Sequence, residues 1–381
     1  MDINDYLIET RRYFHRNPEL SFKEYKTAGK IEEELKSMGL RPERITETGI
    51  IADIINDKNK KTVAIRADID ALPVTEENDV DYRSLNDGIM HACGHDTHIT
   101  MLLGAAKMII NDLKNFNGNV RLIFQPAEES PPGGAIEMIK NGALENVDYI
   151  IGQHIWGSLD AGKIGIYYHE MMANADQFNI KIHGKGGHGS APHEAIDTIY
   201  ISSHLINMLN NIISREIDPQ EPAVLTVGKI NAGYRYNVIA AHSELSGTVR
   251  TFSRDVQEKI KKRIGEILEG LKMIYNINYE YDYEYGYPVL VNNENISKII
   301  EETASSILGN ENIVHPKPNM GGEDFAYYLE KVPGAYYVLG GAFPGKHIGN
   351  HSPLFNIDES VLYNGALILK ESARNILLKN P

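Results

Sequence analysis

The chain has 381 residues, of which 42% are hydrophobic, 8% aromatic and 24% charged; these are ordinary globular proportions that argue against disorder and fit two domains better than one. A formal charge of -14 leaves no basic surplus for a phosphate backbone, so nucleic acid is excluded as the expected partner. The opening "MDINDYLIETRRYF" is charged, and no stretch approaches the roughly 18 uninterrupted apolar residues of a membrane span, so a cytoplasmic protein with no membrane partner is expected.

In chain order, the first recognisable element is "EYKTAGKIEEELKSM" (24–38), where Ala28, Ile31, Leu35 and Met38 fall at helical spacing and Gly39 supplies a stop. Two strands, "GIIADII" (49–55) and "TVAIRADI" (62–69), follow around the polar turn "NDKNKK". The spacing of Leu102, Leu103, Ala106, Ile109 and Ile110 predicts a helix over 97–113. After it come the strand "NVRLIFQ" (119–125), a helix near 134–141 and the strand "VDYIIGQHI" (147–155). Strands alternating with helices predict a mixed α/β fold built on a largely parallel sheet covered by helices.

The order then changes. Strands are predicted at 176–183, 223–230, 244–252 and 277–285, with helices at 195–213 and 254–275. Strand, helix, strand, strand, helix, strand is the split pattern of a ferredoxin-like α+β unit. Beyond Pro288 helix and strand resume, closing with a helix over 361–378. The expected organisation is a catalytic domain in two pieces, 1–173 and 288–381, interrupted by an inserted domain at 174–287.

The chemistry concentrates in "MHACGHDTH" (90–98), which holds the only cysteine, Cys93, with His91, His95, Asp96 and His98. One cysteine excludes an internal disulfide and fits a reducing compartment. Cys93 and His95 chelate one ion if the chain turns at Gly94, which glycine makes easy; a loop site is expected. A buried free cysteine beside ordinary histidines is the competing reading. "IFQPAEES" sets Glu128 and Glu129 beyond a strand end, where ligands of open α/β sheets gather. "DYIIGQHIW" ends an apolar run at His154, and "GNHSPLF" carries His351 in a loop.

With these residues in place, the sequence resembles the aminoacylase and carboxypeptidase family of two-metal peptidases, family twenty among metallopeptidases, and within it the branch of N-acyl-amino-acid amidohydrolases. Hippurate hydrolases, indole-acetyl-amino-acid hydrolases, N-acetyldiaminopimelate deacetylases and some carboxypeptidases belong to that branch. The resemblance runs through "RRYFHRNPELSFKEYKT" (11–27), "RADIDALPV" (66–74), "MHACGHDTH", "IFQPAEE", "GKGGHGSAPH" (184–193), "GTVRTF" (247–252), "GGEDFAYY" (321–328) and "HSPLFNIDE" (351–359).

It implies a zinc-peptidase-like catalytic domain with an inserted lid and dimerisation domain. It also implies that Cys93, His95, Glu129, His154 and His351 ligate two divalent metal ions, with the Cys93 thiolate bridging them. Zinc is the first expectation, with manganese, cobalt or nickel as alternatives. Other branches place a histidine and an aspartate among their ligands where this chain reads Arg66 to Asp70, which leaves Asp68 and Asp70 as supporting residues. His91, Asp96 and His98 are candidates for orienting the ligands, and Asp96 equally for capping a helix.

Hydrolysis needs a base, and Glu128 matches the family's. His188, in the glycine-rich "KGGHGSAPH", matches a histidine that acts in the neighbouring subunit's site, so a homodimer or higher oligomer is expected. Asn237 and Arg250 match positions that bind the substrate's free carboxylate, and Glu323 is kept as a third substrate-binding candidate. Ala240 departs from the relatives' proline and is expected to loosen the loop of Asn237. The expected substrate is a small N-acyl amino acid or a short peptide. Two readings compete: a cysteine hydrolase with Cys93 as nucleophile, and a non-catalytic protein with a metal site, usually of four cysteine and histidine ligands.

Overall fold

The computed structural model describes residues 2–380, in two compact units. One takes in the chain up to Met171, Val291–Lys317 and the chain from Asp324 onward; the other takes in Met172–Leu290 and Pro318–Glu323.

The first unit is built on an eight-stranded sheet. Its order is Glu43–Arg44, Ile50–Ile54, Asn119–Gln125, Thr62–Asp68, Tyr149–Asp160, Gly334–Ala342, Ile164–Gly165 and Ile313–Val314. The four long central strands, from Asn119–Gln125 to Gly334–Ala342, run parallel, and antiparallel pairs occur toward both edges. Thr62–Asp68 and Gly334–Ala342 are buried at every position, as parallel strands covered on both faces are, and the charged Arg66 and Asp68 of the first are paired with each other inside.

The helices Ile3–Arg16, His95–Asn111, Glu294–Leu308 and Val361–Lys379 share one core with this sheet, joining Leu7, Leu102, Ile300 and Leu369 to Ile65 and Leu339. The charged opening of the chain therefore forms a helix. Its inner face carries Tyr6, Leu7, Thr10, Arg11 and Phe14, and because two of these are polar, apolar spacing alone does not reveal it.

The second unit is a four-stranded antiparallel sheet in the order Ala223–Ala232, His242–Thr251, Asp176–His183, Asn278–Glu284. Alternate residues Phe178, Ile180 and Ile182 pack with Leu245 and Val249 against Leu205 and Leu209 of the helix Thr198–Asn211 and Ile260, Ile264 and Leu268 of the helix Arg254–Tyr275. Asp197 caps the first of these helices, accepting from Ile199 N and Tyr200 N. Ala240 is fully buried, and its carbonyl accepts from Thr198 N and Oγ1. No helix among the described residues is long and apolar enough to cross a membrane.

Candidate metal centre

Gly94 adopts a left-handed conformation, φ 85°, at the start of the helix His95–Asn111. Glycine suits both that angle and the packing, since a Cβ there would meet Ile155 Cγ2 at 2.3 Å. The turn aims Cys93 and His95 toward the same point. It also corrects the expectation of a pure loop site, because His95 is already the first residue of the helix.

Cys93 belongs to two donor triplets. One joins it to His95 and His154, the other to Glu129 and His351, and within each triplet the donor atoms lie within 4.8 Å of one another. Cys93 Sγ is 3.4 Å from His154 Nε2, and His351 Nε2 is 3.2 Å from Glu129 Oε1. His154 stands inside the strand Tyr149–Asp160 rather than at its end, because pairing with Gly334–Ala342 continues past it.

The rings are oriented by their other nitrogens. His95 Nδ1 faces Asp70 O at 3.0 Å and Asp70 Oδ1 at 3.2 Å, while His154 Nδ1 faces the Ile155 carbonyl at 2.8 Å. In each ring Nδ1 therefore carries a proton and Nε2 is the nitrogen turned to the cluster. His98 holds the frame: Ile155 N donates to its Nε2 at 2.8 Å and its Nδ1 meets Asp68 Oδ1 at 2.5 Å. Arg66 anchors Asp68 in turn and reaches Asp324 at 2.8 Å.

The carboxylates are presented by a tight turn. Ala127 has φ 55°, unusual for a residue with a Cβ, and the amides of Glu128 and Glu129 donate to Asp70 at 3.2 and 3.1 Å. His351 is also left-handed, φ 68°, and its N–H donates to Ala92 O at 2.8 Å. Asn350 bonds the carbonyls of Cys93 and Ile155, each at 3.1 Å, so this loop is tied to both halves of the cluster.

Two buried atoms here, His95 Nε2 and Glu129 Oε1, make no hydrogen bond among the described residues, and such atoms are costly unless something else satisfies them. The approach of His351 to Glu129 is thus close without being aligned. Together with a set of sulfur, imidazole and carboxylate donors, these orphaned atoms fit first-row divalent cations.

Without cations, burial and then Glu129 and Glu128 push the Cys93 thiol well up, and burial and then His98 push His154 well down. That is the reverse of an activated thiolate–imidazolium pair, so the cysteine-nucleophile reading has no support here. Against the opposing cost of burial, His95, His98 and Arg66 hold the Asp68 carboxyl well below its ordinary range. Burial also opposes the proton on His95, but Asp68 and Asp70 raise that ring to about 10. Cations binding at Nε2 would have to displace this extra proton.

Asp96 does not cap the helix. Its carboxylate takes Arg11 Nε at 2.9 Å and His15 Nδ1 at 2.8 Å. His91 is buried, and among the described residues neither ring nitrogen has a hydrogen-bond partner, so it orients no ligand that way. The supporting residues Arg11, His15 and Glu24 were not legible beforehand; their only signal is that all lie in "RRYFHRNPELSFKEYKT".

The four other candidates lie in the second unit. His188 is exposed, on a two-residue strand paired with Val238–Ile239, and its Nδ1 is 2.7 Å from Ser190 Oγ. Asn237 Oδ1 is buried with no hydrogen-bond partner among the described residues. Arg250 is half-buried and donates from Nε to Thr248 Oγ1 at 3.1 Å. Glu323 is buried.

Residues 64–375 match the family model for Peptidase family M20/M25/M40. The chain is 42% identical over 372 residues to thermostable carboxypeptidase 2 of Saccharolobus solfataricus, covering 96% of this chain and 94% of that one. It is 45% identical over 287 residues to an N-acyl-L-amino acid amidohydrolase of Geobacillus stearothermophilus, covering 75% and 78%. Among solved structures it is similar to the Bacillus subtilis YXEP protein, described as a dinuclear metal binding peptidase from the M20 family. That likeness has a TM-score of 0.88 and 33% identity, covering 100% of this chain and 99% of the other.

Proposed function

The chain belongs to peptidase family M20/M25/M40, and from that premise we propose that it hydrolyses the amide bond of N-acyl amino acids or the C-terminal bond of short peptides, with Glu128 as base beside two bound cations. The observation that carries this reading is the membership of one sulfur, Cys93, in two donor triplets, with a carboxylate that joins neither of them, Glu128, 4.0 Å from His95 Nε2. His95 and His154 would complete one metal position with Cys93, and Glu129 and His351 the other. The thiolate favours zinc over manganese, and zinc is taken here ahead of cobalt and nickel, which the imidazoles also suit.

Two divalent cations, when bound, lower the pKa of water and polarise a carbonyl oxygen. Glu128 takes the proton from the attacking water and returns it to the departing amine nitrogen, so no covalent enzyme intermediate forms. Asp70 keeps the base and the ligand in register, because its two oxygens hold the amides of Glu128 and Glu129 while Oδ1 also holds the His95 ring. A structural metal site would fill its positions with cysteine and histidine and has no use for that base.

In this reading the expected catalytic domain, 1–173 and 288–381, corresponds to the first unit, and the expected ferredoxin-like lid and dimerisation domain, 174–287, to the second, with the main difference that Pro318–Glu323 fall to the second unit. Asn237 and Arg250 bind the substrate's carboxylate end, Glu323 is a third substrate-binding residue, and His188 stabilises the developing oxyanion in the neighbouring subunit of a cytoplasmic homodimer. Mixing inactive His188→Ala chains with inactive Glu128→Gln chains tests the last point. Activity recovered in the heterodimer supports it, and none in heterodimers shown to have formed contradicts it. The activity as a whole is tested by a hydrolysis screen of N-acylated amino acids and dipeptides with each metal restored in turn. Turnover of neither class with any metal overturns the proposal.

A further inference from the structure

We propose that Glu24 is a positioning residue for the reaction, its buried carboxyl group holding Ala127 in the left-handed conformation that aims Glu128 and Glu129. The inference rests on the roles assigned above to those two glutamates.

Glu24 opens the stretch 24–38 expected to be helical, at a position where a glutamate is ordinarily exposed. It is instead fully buried. Oε1 accepts from Ala127 N at 2.9 Å and Phe22 N at 2.9 Å, and Oε2 accepts from Thr48 Oγ1 at 2.9 Å. Ala127 is itself fully buried, and its carbonyl accepts from Gly134 N at 3.1 Å.

Three successive amides are therefore gripped by two buried carboxyl groups: Ala127 by Glu24, and Glu128 and Glu129 by Asp70. A residue with a Cβ disfavours φ 55° and keeps it only where its surroundings impose it. Among the described residues, Glu24 is the one hydrogen-bond acceptor found for the Ala127 amide. If it is lost, the turn relaxes toward negative φ, and a peptide rotation there redirects both carboxylates. Small displacements of this kind lower turnover far more than affinity when the base is what moves.

The experiment measures kcat, KM and bound metal in the holoenzyme for Glu24→Ala, Glu24→Gln and the double variant Glu24→Ala/Ala127→Gly. Glu24→Ala is expected to lower kcat about 30- to 100-fold at saturating metal with KM changed less than about three-fold. Glu24→Gln keeps an acceptor for the Ala127 and Phe22 amides and a donor for Thr48, and is expected to recover activity to within about three-fold of the unaltered enzyme. Glycine adopts positive φ without strain, so the double variant is expected to regain about ten-fold over Glu24→Ala. Glu24→Asp, which keeps the charge but shortens the reach, shows the same loss in smaller measure and serves where Glu24→Ala does not fold.

A merely structural brace would lower the folded fraction and leave kcat per folded molecule unchanged, with no gain from the glycine; either result overturns the proposal. Glu128→Gln measured alongside separates the two assignments. Full activity in that variant contradicts the base assignment itself, whereas an inactive Glu128→Gln beside an unimpaired Glu24→Ala contradicts the clamp alone.

Discussion

Cys93 Sγ lies 3.4 Å from His154 Nε2, and the same sulfur completes a second triplet with Glu129 and His351. If one thiolate serves two cations, the ligands do not contribute equally. Cys93→Ala should bind close to no metal after dialysis, whereas His154→Ala and His351→Ala should each retain about one ion per chain and the unaltered protein two. Elemental analysis of the four proteins checks this. Two ions retained in Cys93→Ala would show that the sulfur bridges nothing.

Glu24 supplies a pH dependence of stability. Burial first, and the Asp70 charge second, push its carboxyl up from the ordinary 4.5 to about 7. Between those values the folded chain holds a proton that the unfolded chain has released. The contribution is therefore fully present below about pH 4.5 and is lost as pH rises through about 7. The full difference amounts to at most about 3 kcal/mol. Chemical denaturation at pH 5 and pH 8 should show the unaltered protein losing about 1–3 kcal/mol more than Glu24→Gln over that interval. Identical pH slopes would place the Glu24 pKa near its ordinary value.

Much of this was legible in the sequence, for reasons that differ by element. Asp176–His183 and Arg254–Tyr275 were predicted at the bounds observed, because a half-buried strand alternates and a long amphipathic helix repeats its apolar stripe. The donors of both triplets stand in short motifs whose chemistry is local. What the sequence hid is what joins distant segments. Nothing in "SFKEY" says that its glutamate accepts an amide 103 positions away, and nothing in "RADID" says that Asp70 grips two amides and an imidazole. The helix Ile3–Arg16 was missed because Arg11, at its buried centre, is matched by Asp96, 85 positions further on.

Arg250 is half-buried, and among the described residues no carboxylate lies within ion-pairing distance of it; burial draws its pKa down despite Asp176. A desolvated guanidinium left in this state is suited to a substrate carboxylate. Arg250→Ala should lower kcat/KM for a free N-acyl amino acid by roughly one to two orders of magnitude, the equivalent of about 1.5–3 kcal/mol for a charged hydrogen bond, while leaving the carboxyl-amidated analogue nearly unchanged. Comparing both substrates with both enzymes checks this. An undiminished preference for the free acid in the variant would remove Arg250 from carboxylate recognition.

The central claim divides two adjacent carboxylates, Glu128 as base and Glu129 as ligand, and one variant addresses it most directly. Glu128→Gln removes the proton acceptor while sparing every donor of both triplets. Bound metal and turnover measured on the same preparation should show about two ions per chain and a loss of roughly 10³-fold or more in kcat, within the range expected for a positioned general base. A Glu128→Gln protein that has lost its metal, or one that keeps both ions and hydrolyses substrate at the unaltered rate, would contradict the account.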